Sequence, residues 1–368
     1  MNKKYSELAE LFRSEKTDEE ILDFLLNYHK NDIADMMAGM TEEERKRLYH
    51  LLGAQKVAEI FKYIEEPRKY IRELSVESAA RVISEMDSDD AVDLLEDLDP
   101  EEKEQIVRML DEDAKKDVKM LLSYDEEEIG SCMTTNYICI PENLTIRQAM
   151  SELVKQAGEN DNIMTIYVVD EKGVFAGAID LKDLIRAREN AHLEDLVLKS
   201  YPYVTDHEKI DDCMDRILDY AEDSIPVLSE DKKILGVITS EDLIEMVDNE
   251  MGEDYAKLAG LTAEEDLKEP TLQSMKKRLP WLIILLFLGM AVSSVVGLFE
   301  NVVAVLPIVI CFQSLVLDMA GNVGTQSLAV TIRVLMDENL TGKQKFQLVV
   351  KEVKTGSLNG ISSRVIPG

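Results

Sequence analysis

Nineteen consecutive residues, Trp281 to Phe299 (WLIILLFLGMAVSSVVGLF), carry no charged side chain. A helix of about 20 apolar residues crosses the hydrocarbon core of a bilayer, so this run predicts a membrane span. Trp281 stands where an interfacial aromatic belongs, and Lys276-Lys277-Arg278 precedes it. A short polar break, Glu300-Asn301, leads into a second apolar run from Val302 to Ile332 that holds one acid, Asp318. It ends at Arg333, with Lys343, Lys345, Lys351 and Lys354 beyond. Basic residues flank the outer ends of both runs and none lies between them, so both ends are predicted in the cytoplasm with Glu300 outside. The predicted spans are residues 281–299 and 303–333. A buried core hairpin of a soluble protein is the alternative that the same runs allow.

The second span contains Asp318-Met-Ala-Gly-Asn-Val-Gly-Thr-Gln-Ser. Polar groups are costly in a bilayer and face a bundle interior or a hydrated path. Asp318, Asn322, Gly324, Thr325 and Gln326 are therefore candidate ion-pathway residues. Gly321 and Gly324 predict close helix approach or local unwinding, which would free carbonyls to meet a cation. The plainer alternative is that these small residues only pack helices together.

The charge is divided unevenly along the chain. There are 73 acidic against 41 basic side chains in 368 residues, a net charge of −32. Residues 271–368 hold five acids and nine bases, net +4, which leaves −36 on residues 1–270. Such acidity excludes a nucleic-acid binder, because phosphate contacts need clustered Lys and Arg. Cys132, Cys139, Cys213 and Cys311 lack CxxC spacing, and His29, His50, His192 and His207 do not pair with them at a zinc-like interval. No cleavable signal is visible at the N-terminus, so residues 1–279 are expected in the cytoplasm and the protein in the cell membrane as a multi-pass chain. No nucleophile–base pair, P-loop or catalytic metal motif occurs, so the chain is not expected to be an enzyme.

Two segments repeat at an offset of 59. The stretch starting Val168-Val-Asp-Glu-Lys-Gly aligns with that starting Val227-Leu-Ser-Glu-Asp-Lys, seven of 18 positions being identical, among them Gly177/Gly236 and Asp183/Asp242. Each copy predicts a strand, a turn, a second strand and a capped helix, preceded by helical Ile146–Lys155 or Ile210–Tyr220. Met133-Thr134 followed by Ile138, Ile140 and Pro141 predicts a leading strand. The pattern resembles a tandem pair of CBS domains. Further upstream, Asp32-Ile-Ala-Asp-Met-Met echoes Asp90-Ala-Val-Asp-Leu-Leu at an offset of 58. Thr41 with Glu44 forms a capping box, Asp99 with Pro100 a cap and first-turn proline, and Ile33, Met36, Met37 and Met40 recur at helical spacing. This region predicts a superhelical stack of short helices.

An acidic helical repeat, a CBS pair and an apolar domain, in this order, resemble the MgtE family of magnesium transporters. Ser293-Ser294, then Gly321-Asn322-x-Gly324-x-Gln326-Ser327 and Ile332-Arg333, carry the specific part of the match. The resemblance implies a multidomain chain. It consists of an all-α superhelical domain (1–128), an α/β CBS pair (129–195 and 196–249), a linker or plug helix (250–279) and an α-helical transmembrane domain (280–368). It further implies a homodimer in a lipid bilayer, five spans per subunit and a plug helix within about Leu258–Lys277. Only two of those spans are present, and the sequence after Lys354 reads as the start of a third before ending in Ser362-Ser-Arg-Val-Ile-Pro-Gly368, so a truncated or frameshifted product or a fragment is expected, whose two spans alone do not enclose the family's pore.

By the same resemblance, regulatory Mg2+ joins acids of the lead-in Asp242, Glu245, Glu250, Glu253 and Asp254 to Asp89 and Asp93 of the helical domain. The physics supports this role: opposed carboxylates repel until a cation bridges them, and Mg2+ takes one or two carboxylates while keeping waters. Intracellular magnesium would thus close the gate. For most of the acids, helix capping and solvation suffice. CBS pairs also hold adenine nucleotides, so Asp180, Asp183, Thr239 and Asp242 are candidate ATP contacts. The alternative function is a membrane-tethered CBS module that senses adenine nucleotide.

Overall fold

Helix caps written into the sequence set where the N-terminal helices begin. In the computed structural model, which describes residues 17–64, 66–158, 160–188, 191–258, 261, 270–299, 305, 308–336 and 341–365, they are α1 (Asp18–Leu25), α2 (Lys30–Met37), α3 (Glu42–Phe61), α4 (Pro67–Ile71), α5 (Val76–Ser84), α6 (Ser88–Glu96), α7 (Pro100–Met109) and α8 (Glu112–Leu121). Side chains at 215, 250, 253, 254, 257, 258, 308–315, 333, 335, 336 and 360–365 lie outside the description. The chain divides into two compact units, Met1–Ile244 and Glu245–Gly368.

Thr41 and Glu44 form the capping box expected at α3, and Thr17 with Glu20 does the same at α1. Helices α2 and α6 begin 58 residues apart, as do α3 and α7, so the sequence echo is a structural repeat. Ile33, Met36, Met37 and Met40 are buried together with Leu94 and Leu95. Helix α3 breaks at Gly53, whose φ of 78° suits glycine and almost nothing else. Buried Arg45 ties the turns together. Its guanidinium donates to Glu73 (Nε–Oε2 2.9 Å) and to the Met37 carbonyl (3.3 Å) at the end of α2, with Tyr70 under it.

The next part contains two three-stranded sheets, each with a parallel pair followed by an antiparallel one. Strands β1 (Ile138–Pro141), β2 (Thr165–Val169) and β3 (Phe175–Asp180) form the first, with α9 (Ile146–Gln156) and α10 (Leu181–Arg186) against it. Strands β4 (Val204–Thr205), β5 (Ser224–Leu228) and β6 (Ile234–Thr239) form the second, with α11 (Ile210–Tyr220) and α12 (Ser240–Leu258) following in the same pattern. The two copies exchange their leading segments. Thr134, ahead of the first sheet, bridges Val237 of the second, while Leu198, ahead of the second, bridges Ala178 of the first. Gly177 and Gly236 sit at these crossings. A Cβ on Gly177 would lie 2.6 Å from the Leu198 carbonyl oxygen, and one on Gly236 2.7 Å from that of Thr134. Tyr167 and Tyr201 seal the joint, and the Tyr167 hydroxyl lies 2.6 Å from Ser224 Oγ.

The second unit holds α13 (Thr271–Gly297), α14 (Ile308–Met336) and α15 (Gly342–Val365). Helix α13 is about 40 Å long at 1.5 Å per residue, and its apolar window has mean hydropathy 2.4 with none of it buried. It is the one helix among the described residues long and apolar enough to cross a membrane. It begins ten residues before Trp281, because Pro270 as N-cap fixes its start and the basic run is helical too. Pro270, which falls within the span expected for a plug helix, is thus the cap of α13. Residues 259, 260 and 262–269 of that expectation lie outside the described residues.

Helix α14 runs unbroken through Gly321 and Gly324, so local unwinding there does not occur; with a Cβ at either, nothing would lie within 4 Å. Close approach occurs instead at Gly356 of α15, whose Cβ would meet Val323 at 3.1 Å. Helix α15 starts at Gly342, well before Lys354, and remains helical through Ser362-Ser-Arg364.

Candidate functional site

The N-terminus of α6 and the first turn of α12 bring their carboxylates together. Asp89 is half-buried, and its Oδ1 is enclosed without a hydrogen-bond partner among the described residues. Burial pushes the Asp89 carboxyl well above the usual carboxylate range, and Asp242, Asp90 and Asp87 push the same way. Burial also pushes Asp90 up to about 7, opposed by the Lys62 ammonium and reinforced by Asp87, Asp242 and Asp93. Asp242 is raised by burial, against the hydrogen bonds it accepts from Thr239. Three carboxyls raised in one place, each chiefly by burial, form a poorly hydrated acidic site.

Each has a local reason for its position. Asp89 and Asp90 fall in the first turn of α6, where acids suit the helix dipole. Asp242 Oδ2 accepts from Thr239 N (2.7 Å) and Oγ1 (2.9 Å), closing the N-terminal box of α12. Asp87 Oδ1 accepts from Asn136 Nδ2 (2.7 Å), and the Thr135 amide donates to Ser88 Oγ (2.9 Å), so the helical region is stitched to the chain leading into β1. Lys62, at the C-cap of α3, reaches the same carboxylates. Its Nζ lies 3.1 Å from Glu241, 3.8 Å from Asp90 and 3.9 Å from Asp87. Burial would lower the Lys62 pKa, but Asp90, Glu241 and Asp87 together hold it above the usual lysine range.

The structure thus brings Asp89 and Asp242 of the expected regulatory set into mutual influence. Asp93 shares α6 with Asp89, one turn on, and is exposed. Glu245 is exposed on α12, and Glu250, Glu253 and Asp254 fall on that helix with side chains outside the described residues. Among the described residues no three Asp, Glu, His or Cys side chains converge closely enough to chelate a metal directly. The donor set is all oxygen and its spacing is loose, which fits a hard cation that keeps its waters. Asp87, Asp90, Glu241 and Lys62 are not among the ligands expected from sequence. The run Asp87-Ser-Asp-Asp90 at a helix start was a usable signal, whereas Lys62 had none.

Of the expected nucleotide contacts, Thr239 and Asp242 cap α12, and Asp180 caps α10 by accepting from Lys182 N at 2.6 Å. Asp183 is exposed on α10. In α14, Asn322 Nδ2 donates to Asp318 Oδ2 at 3.5 Å and Thr325 Oγ1 to the Gly321 carbonyl at 3.1 Å, while Gly324 and Gln326 are exposed. Polar groups here are satisfied one turn back along the helix. Burial pushes the Cys132 and Cys139 thiols up to about 11 and Cys213 up to about 12, so they are neutral near pH 7.

Comparison with known proteins places this geometry in context. Residues 28–127 match the profile of the MgtE intracellular N domain, 127–190 and 193–249 that of the CBS domain, and 313–368 that of a divalent cation transporter. A magnesium transporter MgtE from Enterococcus faecalis is 38% identical over 364 residues, covering 98% of this chain and 80% of that protein. Among solved structures, the soluble part of a magnesium transporter superposes with TM-score 0.64 at 30% identity, covering 67% of this chain and 98% of the other. The cytosolic domain of the Mg2+ channel MgtE in complex with ATP superposes with TM-score 0.59 at 26% identity, covering 66% and 99%.

Proposed function

The chain belongs to the MgtE family of magnesium transporters, and from that membership we propose that it is the magnesium-sensing subunit of a membrane transporter whose gate closes when intracellular Mg2+ binds between its cytoplasmic domains. The observation that carries this reading is the meeting of Asp89, Asp90 and Asp242, with Asp89 Oδ1 buried and unpartnered. In the absence of a cation these carboxylates repel across the joint between helical domain and second CBS copy. A hydrated Mg2+ offsets that repulsion and favours the closed arrangement by mass action.

In this proposal the helical domain is 1–128, the CBS copies 129–195 and 196–249, the linker 250–279 and the membrane domain 280–368. Asp93, Glu245, Glu250, Glu253 and Asp254 contribute further outer ligands to the sensing joint. The membrane domain crosses the bilayer at 281–299 and 303–333, and Asp318, Asn322, Gly324, Thr325 and Gln326 line the ion path within a homodimer. The hydrogen-bonded pair Asp318–Asn322 supports a polar stripe along α14.

The test is limited proteolysis of the full chain in detergent, with EDTA or millimolar Mg2+. Magnesium slows cleavage of the wild-type protein, and Asp89→Asn with Asp242→Asn removes the effect. Equal cleavage with and without Mg2+ rejects sensing. A second reading has its own support: the similar ATP-bound cytosolic domain and the Thr239–Asp242 box favour an adenine-nucleotide site on the CBS pair, to which Asp180 and Asp183 of the first copy would contribute. Calorimetry with ATP and AMP tests it, and absence of heat with both rejects it.

A further inference from the structure

The acidic joint already contains a cation of its own. Lys62 projects from the C-cap of α3, on the helical side, and its ammonium is 3.1 Å from Glu241 in the first turn of α12. It lies 3.8 Å from Asp90 and 3.9 Å from Asp87 on α6. The Lys62 side chain is 27% exposed and that of Asp90 26%, so part of the attraction escapes solvent screening. One positive charge therefore links carboxylates of the helical domain to a carboxylate of the second CBS copy. We infer that Lys62 is a positioning residue, a built-in counter-ion that offsets part of the carboxylate repulsion at the joint and raises the docked fraction of the helical domain when no divalent cation is bound.

The consequence is quantitative. Without Lys62, the carboxyl groups of the metal-free joint would lose this counter-ion, and the domains would separate more readily. Lys62 thus raises the docked fraction in the metal-free protein and narrows the range over which Mg2+ can change it. Hydrogen bonds between Asp87 and Asn136 and between Ser88 and Thr135 share the docking, so removal of Lys62 weakens the joint without abolishing it. The link to gating rests on the magnesium-sensing reading, whereas metal-free docking does not.

The experiment is limited proteolysis of the full chain in detergent, followed at the connection 122–128 between helical domain and CBS pair. In EDTA, Lys62→Met is expected to be cleaved about three- to tenfold faster than wild type, as for loss of a partly buried ion pair, and Lys62→Arg close to wild type. In saturating Mg2+ all three converge. Wild-type rates in EDTA for Lys62→Met, or fast cleavage of Lys62→Arg, overturn the inference. If Lys62→Met loses helical content by circular dichroism, the exchange Lys62→Glu with Glu241→Lys decides: recovery of protection relative to Lys62→Glu alone supports it, and no recovery overturns it. A wild-type protein indifferent to Mg2+ rejects the sensing proposal, while the comparison in EDTA still judges the role of Lys62.

Discussion

At the scale of single residues, Asp90 has the sharpest measurable consequence. Its carboxyl is pushed up to about 7 from an ordinary 3.8, chiefly by burial. The folded protein therefore binds a proton there that the unfolded chain releases. Stability from this group is full below about 3.8 and is lost as pH rises through about 7. Asp89 and Asp242 are shifted in the same direction. We expect the metal-free protein to gain thermal stability as pH falls from 8 to 5.5, with Mg2+ flattening the profile and Asp90→Asn reducing its slope. Melting curves in EDTA and in Mg2+ measure this, and a profile that rises with pH would contradict it. That Asp89 and Asp242 come near each other was foreshadowed by family resemblance, with helix spacing adding Asp93 to the Asp89 face and the 59-residue repeat marking Asp242. Asp90 was legible only as a repeat partner of Asp32, since local sequence does not reveal which of two adjacent acids a fold will bury.

At the scale of elements, the sequence repeat foretold more than element type. Identity of Gly177 and Gly236 at an offset of 59 marks the two crossings where each CBS copy receives the other's leading segment. A methyl group at Gly236 meets the Thr134 carbonyl oxygen at 2.7 Å and Met133 at 2.9 Å. Gly236→Ala should cost about 1–3 kcal/mol, the range for overpacking a tight interior. Gly173, with φ 77° and nothing near its Cβ position, is the control, and Gly173→Ala should cost about 1 kcal/mol from backbone strain alone. Urea unfolding of the two variants distinguishes steric from conformational cost, and equal losses would refute the crossing argument. The Arg45–Glu73 pair gives a second case. Arg45 is 6% exposed and serves both Glu73 and carbonyls at the end of α2. Arg45→Leu strands a buried carboxylate and should cost about 3–5 kcal/mol, read as a lowered midpoint in the same denaturation. Nothing in the sequence marks this pair, because 28 residues separate its members and neither lies in a recognisable motif.

At the scale of the whole molecule, charge and hydropathy divide the chain into two materials: a cytoplasmic part at −36 and a final segment at +4. Helix α13 is exposed over its full apolar length, so a surrounding of lipid or further apolar helices is required to cover it. The placement of Lys276, Lys277 and Arg278 before the first proposed span, and of Arg333, Lys343 and Lys345 after the second, predicts both flanks on the same side. That asymmetry makes a topological prediction independent of any sensing chemistry. In a background with the four native cysteines replaced by alanine, cysteine at position 300 should react with a membrane-impermeant maleimide added to whole cells. Cysteines at positions 276 and 345 should react only after the cells are opened. Labelling of position 345 from outside would break the hairpin topology. Labelling of position 276 from outside would put the carboxylates of α6 and α12, which precede that flank, out of reach of intracellular magnesium. On the sensing proposal, the +4 segment holds the −36 assembly on the cytoplasmic side of the membrane, where it meets intracellular magnesium.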